Sequence, residues 1–350
     1  MDWGASGIRN TYEYERVGFD LETSLGFVDD IVKATISENY DGSYRTCLQV
    51  EVDGAPLPLS SLLRVWRTST LGSESVREEM GTYIVQPGAQ RLEFSQGRYT
   101  GTVSLQSMLY ALDTDKRPND MVCKAGTNAL TWFEKRVSLA KCRSAVAYAL
   151  EGSAKTFSAA HVWEFGETTL TECQRCADAL GGYLTVDTHG RIYMDEYVVP
   201  SKRPDTWHLT ADDYVDGVGF ASPDIVNRVS IAYTYEDGSG KQTTIYGNAQ
   251  VDDASALSWK NIGRWSMETY QVDDLTANTQ TAANAKAAQY LAAMTATSRT
   301  LSLTMPYAPI PLGSVGIVEV GGEVTRAVVS TRSIELDTEG LMQLSLKELS

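Results

Sequence analysis

Apolar and polar positions alternate along most of the first third of the chain. Thr11–Val17 (TYEYERV), Ile31–Glu38 (IVKATISE) and Tyr44–Val52 (YRTCLQVEV) each send successive side chains to opposite faces, the period of a strand buried on one side. Asn39-Tyr40-Asp41-Gly42-Ser43 joins the last two with turn-forming residues. Leu63–Trp66, Gly81–Gln86, Arg91–Gln96 and Gly101–Leu105 continue the series, and the polar run Leu71–Glu79 reads as a hairpin loop. Turn signals recur about every 8 to 15 residues, which points to a small antiparallel barrel or sandwich.

After a short helix at Leu105–Leu112 and a polar boundary at Asp113–Pro118 the period changes. Leu130, Phe133 and Val137 share one face of a helix over about Asn128–Ala140. Trp163–Tyr197 then predicts strand, capped helix and hairpin. Thr169 and Glu172 have the spacing of a capping box, and Leu170, Cys173, Ala177 and Leu180 form the apolar stripe. Gly181-Gly182 ends the helix, and Tyr183–Val186 and Arg191–Tyr197 flank the turn Asp187-Thr188-His189-Gly190.

Pro200–Pro204 marks a second boundary. Ile225–Tyr235 is strongly β, Asp237–Gly240 is its turn, and Gln242–Tyr246 returns. Ala254–Met267 is irregular and polar and carries Trp259 and Trp265. Thr276–Thr297 predicts a long alanine-rich helix with the narrow stripe Ala283, Ala287, Leu291 and Met294, fitted to close approach within the chain or across subunits. Thr300–Met305, Ser314–Val320, Glu323–Glu335 and Leu341–Glu348 finish the chain as strands.

The expected architecture is a β-rich α+β fold. Barrel-like domains at 1–117 and 204–350 bracket an α+β connector at 118–203, and the second carries an insertion at about 236–298 that includes the long helix. No internal sequence repeat aligns.

The chain's 350 residues suffice for about two to four compact units. A net charge of −15 argues against sequence-independent nucleic-acid binding, which needs a surplus of lysine and arginine. Lys135-Arg136 and Lys202-Arg203 are too short to be more than solvated faces. No leader-like n-region and h-region opens the sequence, and no apolar run approaches about 18 residues, so membrane insertion is not expected.

Candidate chemistry is sparse. Cys47, Cys123, Cys142, Cys173 and Cys176 are too few and too scattered for a disulfide scaffold. Cys173-x-x-Cys176 invites a redox or zinc reading. A redox pair, however, wants its first thiol at the helix N-terminus, and a structural zinc site wants two paired knuckles. The cysteines read as packed thiols. Gly240-Lys241 lacks the glycine and hydroxyl of a phosphate loop, since Tyr235 and Gln242 stand there, and Gly217-x-Gly219 lacks the third glycine of a dinucleotide fingerprint. His161, His189 and His208 never fall at ligand spacing, and His189 reads as solvated. Glu164, Glu167, Asp195 and Glu196 flank the capped helix without a spacing that singles them out for hydrolysis. No catalytic, cofactor-binding or metal-ligating residue is assigned, and no enzyme activity is expected.

The order of segments is more specific than any motif. TYEYERVGFDLETSLGFVDDIVKATIS, LLRVW, MGTYIVQP and SLQSMLYALDTDKRP, followed by WEFGETTLTECQRCADALGGYLTVDTHGRIYMDEY, resemble the N-terminal barrel and middle domain of bacteriophage tail (baseplate) hub proteins. NRVSIAYTY, TANTQTAANAKAAQYLAAM, TLSLTMPYAPIPLGSVGIVEV and LMQLSLKEL resemble that family's C-terminal half, so the resemblance spans roughly residues 10–349. It implies a structural subunit with paired, pseudo-equivalent barrels. Three chains would form a homotrimeric ring that adapts the six-fold tail tube of a virion or contractile injection system. Tube or distal tail protein would bind above it and a spike or tip below, at the distal end of a tail assembled from protein made in the bacterial cytoplasm. The hydrolase that some members carry after the hub portion is not expected, because the last barrel strand reaches Ser350. The acidity would keep a DNA-passing lumen from holding phosphate. Two rival readings are a tail-associated cell-wall hydrolase or endopeptidase, and a receptor- or carbohydrate-binding tip module using Trp259 and Trp265.

Overall fold

The computed structural model describes residues 7–157, 159–221, 225–236, 241–255, 257–272, 278–295 and 297–349. The alternating stretches of the first third form β1 (Arg9–Val17), β2 (Ser24–Phe27), β3 (Ile31–Asn39), β4 (Thr46–Gly54), β5 (Leu62–Leu71), β6 (Glu74–Ser95) and β7 (Arg98–Gln106). Leu71–Glu79 is not a loop: β5 and β6 stay paired to Leu71↔Glu74, leaving Gly72 and Ser73 as the turn. Glu74–Arg77 are exposed on both faces, so no hydrophobic alternation marks them as strand.

The middle of the chain forms α1 (Leu109–Thr114), β8 (Met121–Cys123), α2 (Ala129–Leu139), β9 (Ser144–Val146), β10 (His161–Trp163), α3 (Thr169–Leu180), β11 (Gly182–Val186) and β12 (Ile192–Glu196). The short helix starts later than its pattern suggested, because Leu105 and Gln106 still belong to β7. Asn128 caps α2 by accepting from the Thr131 amide. Gly181, at φ 63°, ends α3 in the left-handed geometry that a side chain would strain. The cap of α3 lies one residue before the predicted box: Thr168 accepts from the Thr171 amide, and Glu172 turns inward instead.

The last third forms β13 (Asp205–Leu209), β14 (Val215–Ala221), β15 (Arg228–Glu236), β16 (Gln242–Gln250), α4 (Trp259–Ile262), β17 (Met267–Val272), α5 (Gln280–Thr295), β18 (Thr297–Pro306), β19 (Val315–Val320), β20 (Glu323–Glu335) and β21 (Leu341–Leu349). The predicted turn at Asp237–Gly240 lies outside the described residues.

The N- and C-terminal β segments are halves of one 13-stranded sheet. Its path runs β14-β18-β21-β20-β3-β4-β7-β6-β5-β1-β2, with β19 pairing β20 and β13 alongside β19. The expectation of two barrels is therefore corrected: the path has open ends at β14 and β2, and no closed barrel is found among the described residues. The seam is β20 against β3, in the register Arg332↔Glu38, and these two side chains form an ion pair. One core crosses the seam, from Tyr14, Ile36, Leu48 and Val103 to Leu303, Val329 and Leu344.

A second core gathers α1, α2 and α3 with Val17 and Leu62 of the N-terminal strands and Leu21 of the turn between β1 and β2. A third lies under α5, where Ala283 and Ala287, fully buried, and Leu291 pack on Val229, Ile231 and Tyr233 of β15. The small-residue stripe thus serves a contact within the chain. β16 approaches so closely that a Cβ at Gly247 would overlap the Ala283 carbonyl.

Candidate functional site

The densest chemistry sits in the second core. Antiparallel β8 and β10 place Cys123 directly opposite His161. Glu172, on the first turn of α3, has no exposed side-chain surface. One ligand atom each of Cys123, His161 and Glu172 lies within 4.8 Å of the others. Sequence spacing hid this cluster, since the three residues meet only through strand pairing and helix packing.

The cluster's donors are already engaged. Glu172 Oε1 accepts from Trp132 Nε1 at 2.6 Å and faces His161 Nε2 at 2.8 Å, and Oε2 accepts from Arg175 Nη1 at 3.2 Å. Burial alone would raise its carboxyl, but the bonds to His161 and Trp132 and the charge of His161 hold it below the usual range. The buried Arg136 guanidinium lies over Trp132, 4.1 Å from the ring centroid, and donates to Met121 Sδ. A cation brought here would meet Arg136 and Arg175 and would have to displace hydrogen bonds that satisfy Glu172. As a nucleophile–base–acid set the cluster is equally ill-suited. Cys123 is fully buried and burial pushes its thiol up, whereas a nucleophilic cysteine needs access and a lowered pKa. The arrangement acts as a polar pin through an otherwise apolar core.

Cys173 and Cys176 both face that core with no exposed surface, and burial raises both thiols far above their ordinary value. Cys142 is pushed up to about 11 by burial. Among the described residues the carboxylates near α3 hold local roles: Glu167 pairs with Arg175 at 2.7 Å and accepts from the Glu164 amide, and Asp195 accepts from the Glu196 amide.

His189 is not the solvated turn residue its position suggested. The tip of the β11–β12 hairpin docks on β5 and β6, where His189 Nδ1 lies 3.4 Å from Glu79 and Nε2 lies 3.5 Å from Arg64. Arg64 binds Glu79 at 2.6 Å, and Thr82 Oγ1 donates to the Thr188 carbonyl at 3.1 Å. The hairpin is thereby latched to the large sheet. His208 instead pairs with Glu319 in an exposed position.

A broad surface feature is the sheet face turned away from the core. Register carries one row across six neighbouring strands: Thr304, Gln343, Ser333, Ser37, Cys47 and Gln106. Adjacent rows add Ser302, Ser345, Thr331, Gln49 and Ser104. At ordinary strand spacing the row is about 24 Å wide. Charges on it fall toward its margins, where Lys33 lies opposite Glu51, Arg98 pairs with Asp53, Lys347 pairs with Asp41, and Glu335 lies opposite Thr35. Over the seam the face hollows into a cleft of about 640 Å³ whose lining includes Ser37, Thr331, Ser333 and Gln343, together with the Glu38–Arg332 pair and Arg45.

No family model and no curated protein sequence matches the chain. Solved structures do. The chain is similar to the tail protein from Neisseria meningitidis MC58, at 15% identity over 96% of each chain with a TM-score of 0.65. This is a phage tail-protein fold. It also resembles the 43 kDa tail protein of prophage MuSo2 from Shewanella oneidensis, at 14% identity, 96% and 97% coverage and a TM-score of 0.64. A chain of the Francisella PdpA–VgrG complex shares the fold at 9% identity and a TM-score of 0.55, over 98% of this chain and 53% of that one.

Proposed function

We propose that the chain is a structural, non-enzymatic tail hub subunit that closes as a homotrimer around an aqueous lumen. It adapts a six-fold tube to a tip or spike at the distal end of a tail. Residues 1–117 and 204–350 supply two related wall segments per chain, so that three chains present six, and 118–203 buttress them from outside. The carrying observation is the row of uncharged side chains, hydroxyls and amides with the single thiol of Cys47, that spans both halves of the sheet. Such a wall neither holds phosphate nor strips water from a polymer passing along it. In this reading the lumen is neutral, and the acidity expected of it lies elsewhere on the chain. The similarity to tail proteins and to a chain of a VgrG complex supports the same assignment.

Mass photometry and electron microscopy test it. The expected species has about three times the 38.3 kDa chain mass and forms a ring. A chain that stays monomeric at high concentration, and fails to close when co-expressed with tube and tip proteins, overturns the proposal. Replacing Ser37, Ser333 and Gln343 by lysine leaves ring formation intact but impedes DNA delivery if the face lines the lumen.

A further inference from the structure

The three-stranded sheet of β16, β15 and β17 has two faces, and among the described residues only one of them is covered. Val229, Ile231 and Tyr233 point into the core beneath α5. Alternation turns Tyr246, Asn248, Gln250, Thr269 and Gln271 the other way, and all five are exposed. Their side chains end in hydroxyls and amides, which both donate and accept hydrogen bonds and carry no charge at neutral pH. Among the described residues the one exposed apolar chain beside them is Met267, opposite Arg228 at the tryptophan end.

At one end of this open face the segment between β16 and β17 holds up two aromatic rings. Trp259 and Trp265 are 41% and 44% exposed, with centroids 5.8 Å apart and planes inclined by 31°. Arg228, on the same sheet face, lies 5.5 Å from the Trp265 centroid and braces it. The segment is fastened from below by Asn227, which is fully buried; its side chain donates to the Arg264 carbonyl at 3.0 Å and accepts from the Ser266 amide at 2.9 Å. Lys260 and Asp253 neutralise each other at 2.6 Å beside the pair. The rings therefore stand on an anchored segment, so binding would cost little further ordering.

We infer that this face binds a neutral polysaccharide, with the tryptophan pair as stacking shelf and the amide and hydroxyl side chains as hydrogen-bond partners. A pyranose ring presents apolar C–H faces girdled by hydroxyls, the complement of an aromatic shelf beside uncharged donors and acceptors. A polyanion would call for a cluster of cations, and here Arg228 is engaged with Trp265. A protein partner would call for an apolar centre with a polar rim, whereas these aromatics sit at the edge of a polar face.

The test uses the full chain, with hexamers of β-1,4-linked N-acetylglucosamine and of α-1,4-linked glucose and an array of neutral bacterial surface polysaccharides as probes. Tryptophan fluorescence and titration calorimetry read binding. The expected result is saturable, salt-insensitive binding of a neutral glycan, weakened about 3- to 10-fold by Trp265→Ala, the loss expected for one stacking contact. Asn248→Ala with Gln250→Ala, both on the exposed sheet surface, weakens it comparably and decides the matter should the tryptophan variant misfold. The inference is overturned by the absence of saturable binding to every probe, by binding that survives both variants, or by binding that collapses with salt. Tryptophans shielded from acrylamide only on self-association would also overturn it, making the patch a protein contact. Each chain carries the whole face, so the result is independent of whether the ring of three forms.

Discussion

Glu172→Gln removes the charge at the centre of the pinned core while keeping its shape. The carboxylate takes hydrogen bonds from Trp132 and Arg175, meets His161 at 2.8 Å and has no exposed side-chain surface. An amide keeps one acceptor for Trp132 but turns an N–H donor toward Arg175 or His161. Removing one partner of a buried ion pair costs about 3–5 kcal/mol, chiefly because the other charge is left behind. Arg175 retains Glu167 at 2.7 Å, which places the expected loss near the lower bound, about 3 kcal/mol. With a urea slope of about 1.5–3 kcal/mol/M, the unfolding midpoint falls by about 1–2 M.

The pH dependence checks the cause. Because the folded carboxyl is held below its ordinary value, its contribution is complete above the unfolded value of about 4.3 and disappears as pH falls through the lowered folded value. The gap between wild type and E172Q should therefore be widest near neutrality and close in acid. A gap under about 0.5 kcal/mol at pH 7, within the range of an ordinary surface change, refutes the reasoning. So does a gap that ignores pH. Stoichiometric zinc in the purified wild type that disappears in E172Q would show that the cluster of Cys123, His161 and Glu172 serves a metal instead.

Three other outcomes follow from the packing. Cys123, Cys142, Cys173 and Cys176 are buried and only Cys47 is half-buried, so a thiol reagent should modify at most one cysteine per native chain and all five after denaturation; rapid native labelling at four sites would contradict the core described. Gly247→Ala forces a methyl group into the Ala283 carbonyl and should cost at least about 1–3 kcal/mol, read as faster amide exchange in β15, β16 and β17, and Ala287→Leu should act similarly. Glu38→Gln breaks the largely buried pair with Arg332 at the seam and should cost about 3 kcal/mol or more, splitting one unfolding transition into two; a single, unshifted transition would show that the seam carries little of the coupling.

What local pattern could reveal, and what it could not, follows from the range of the interactions involved. Alternation located β3 and β4 because each has one buried face, and Gly181 marked a helix end through bonds made within a few residues. The pairing of β20 with β3 joins residues 294 apart, Arg332 and Glu38, and nothing in either segment names its partner; two halves that each look complete were therefore expected to close separately. The same limit explains the histidines. Cys123, His161 and Glu172 are scattered in sequence, and His189 sits in a turn whose composition suggests solvent. Glu172 is the instructive residue. Three places after a threonine at a helix start, it had the signature of a capping side chain, yet a competing cap at Thr168 satisfied the helix and freed Glu172 to turn inward. A capping box and a buried acid share that signature, and only the partners waiting in the core, Trp132, His161 and Arg175, decide between them.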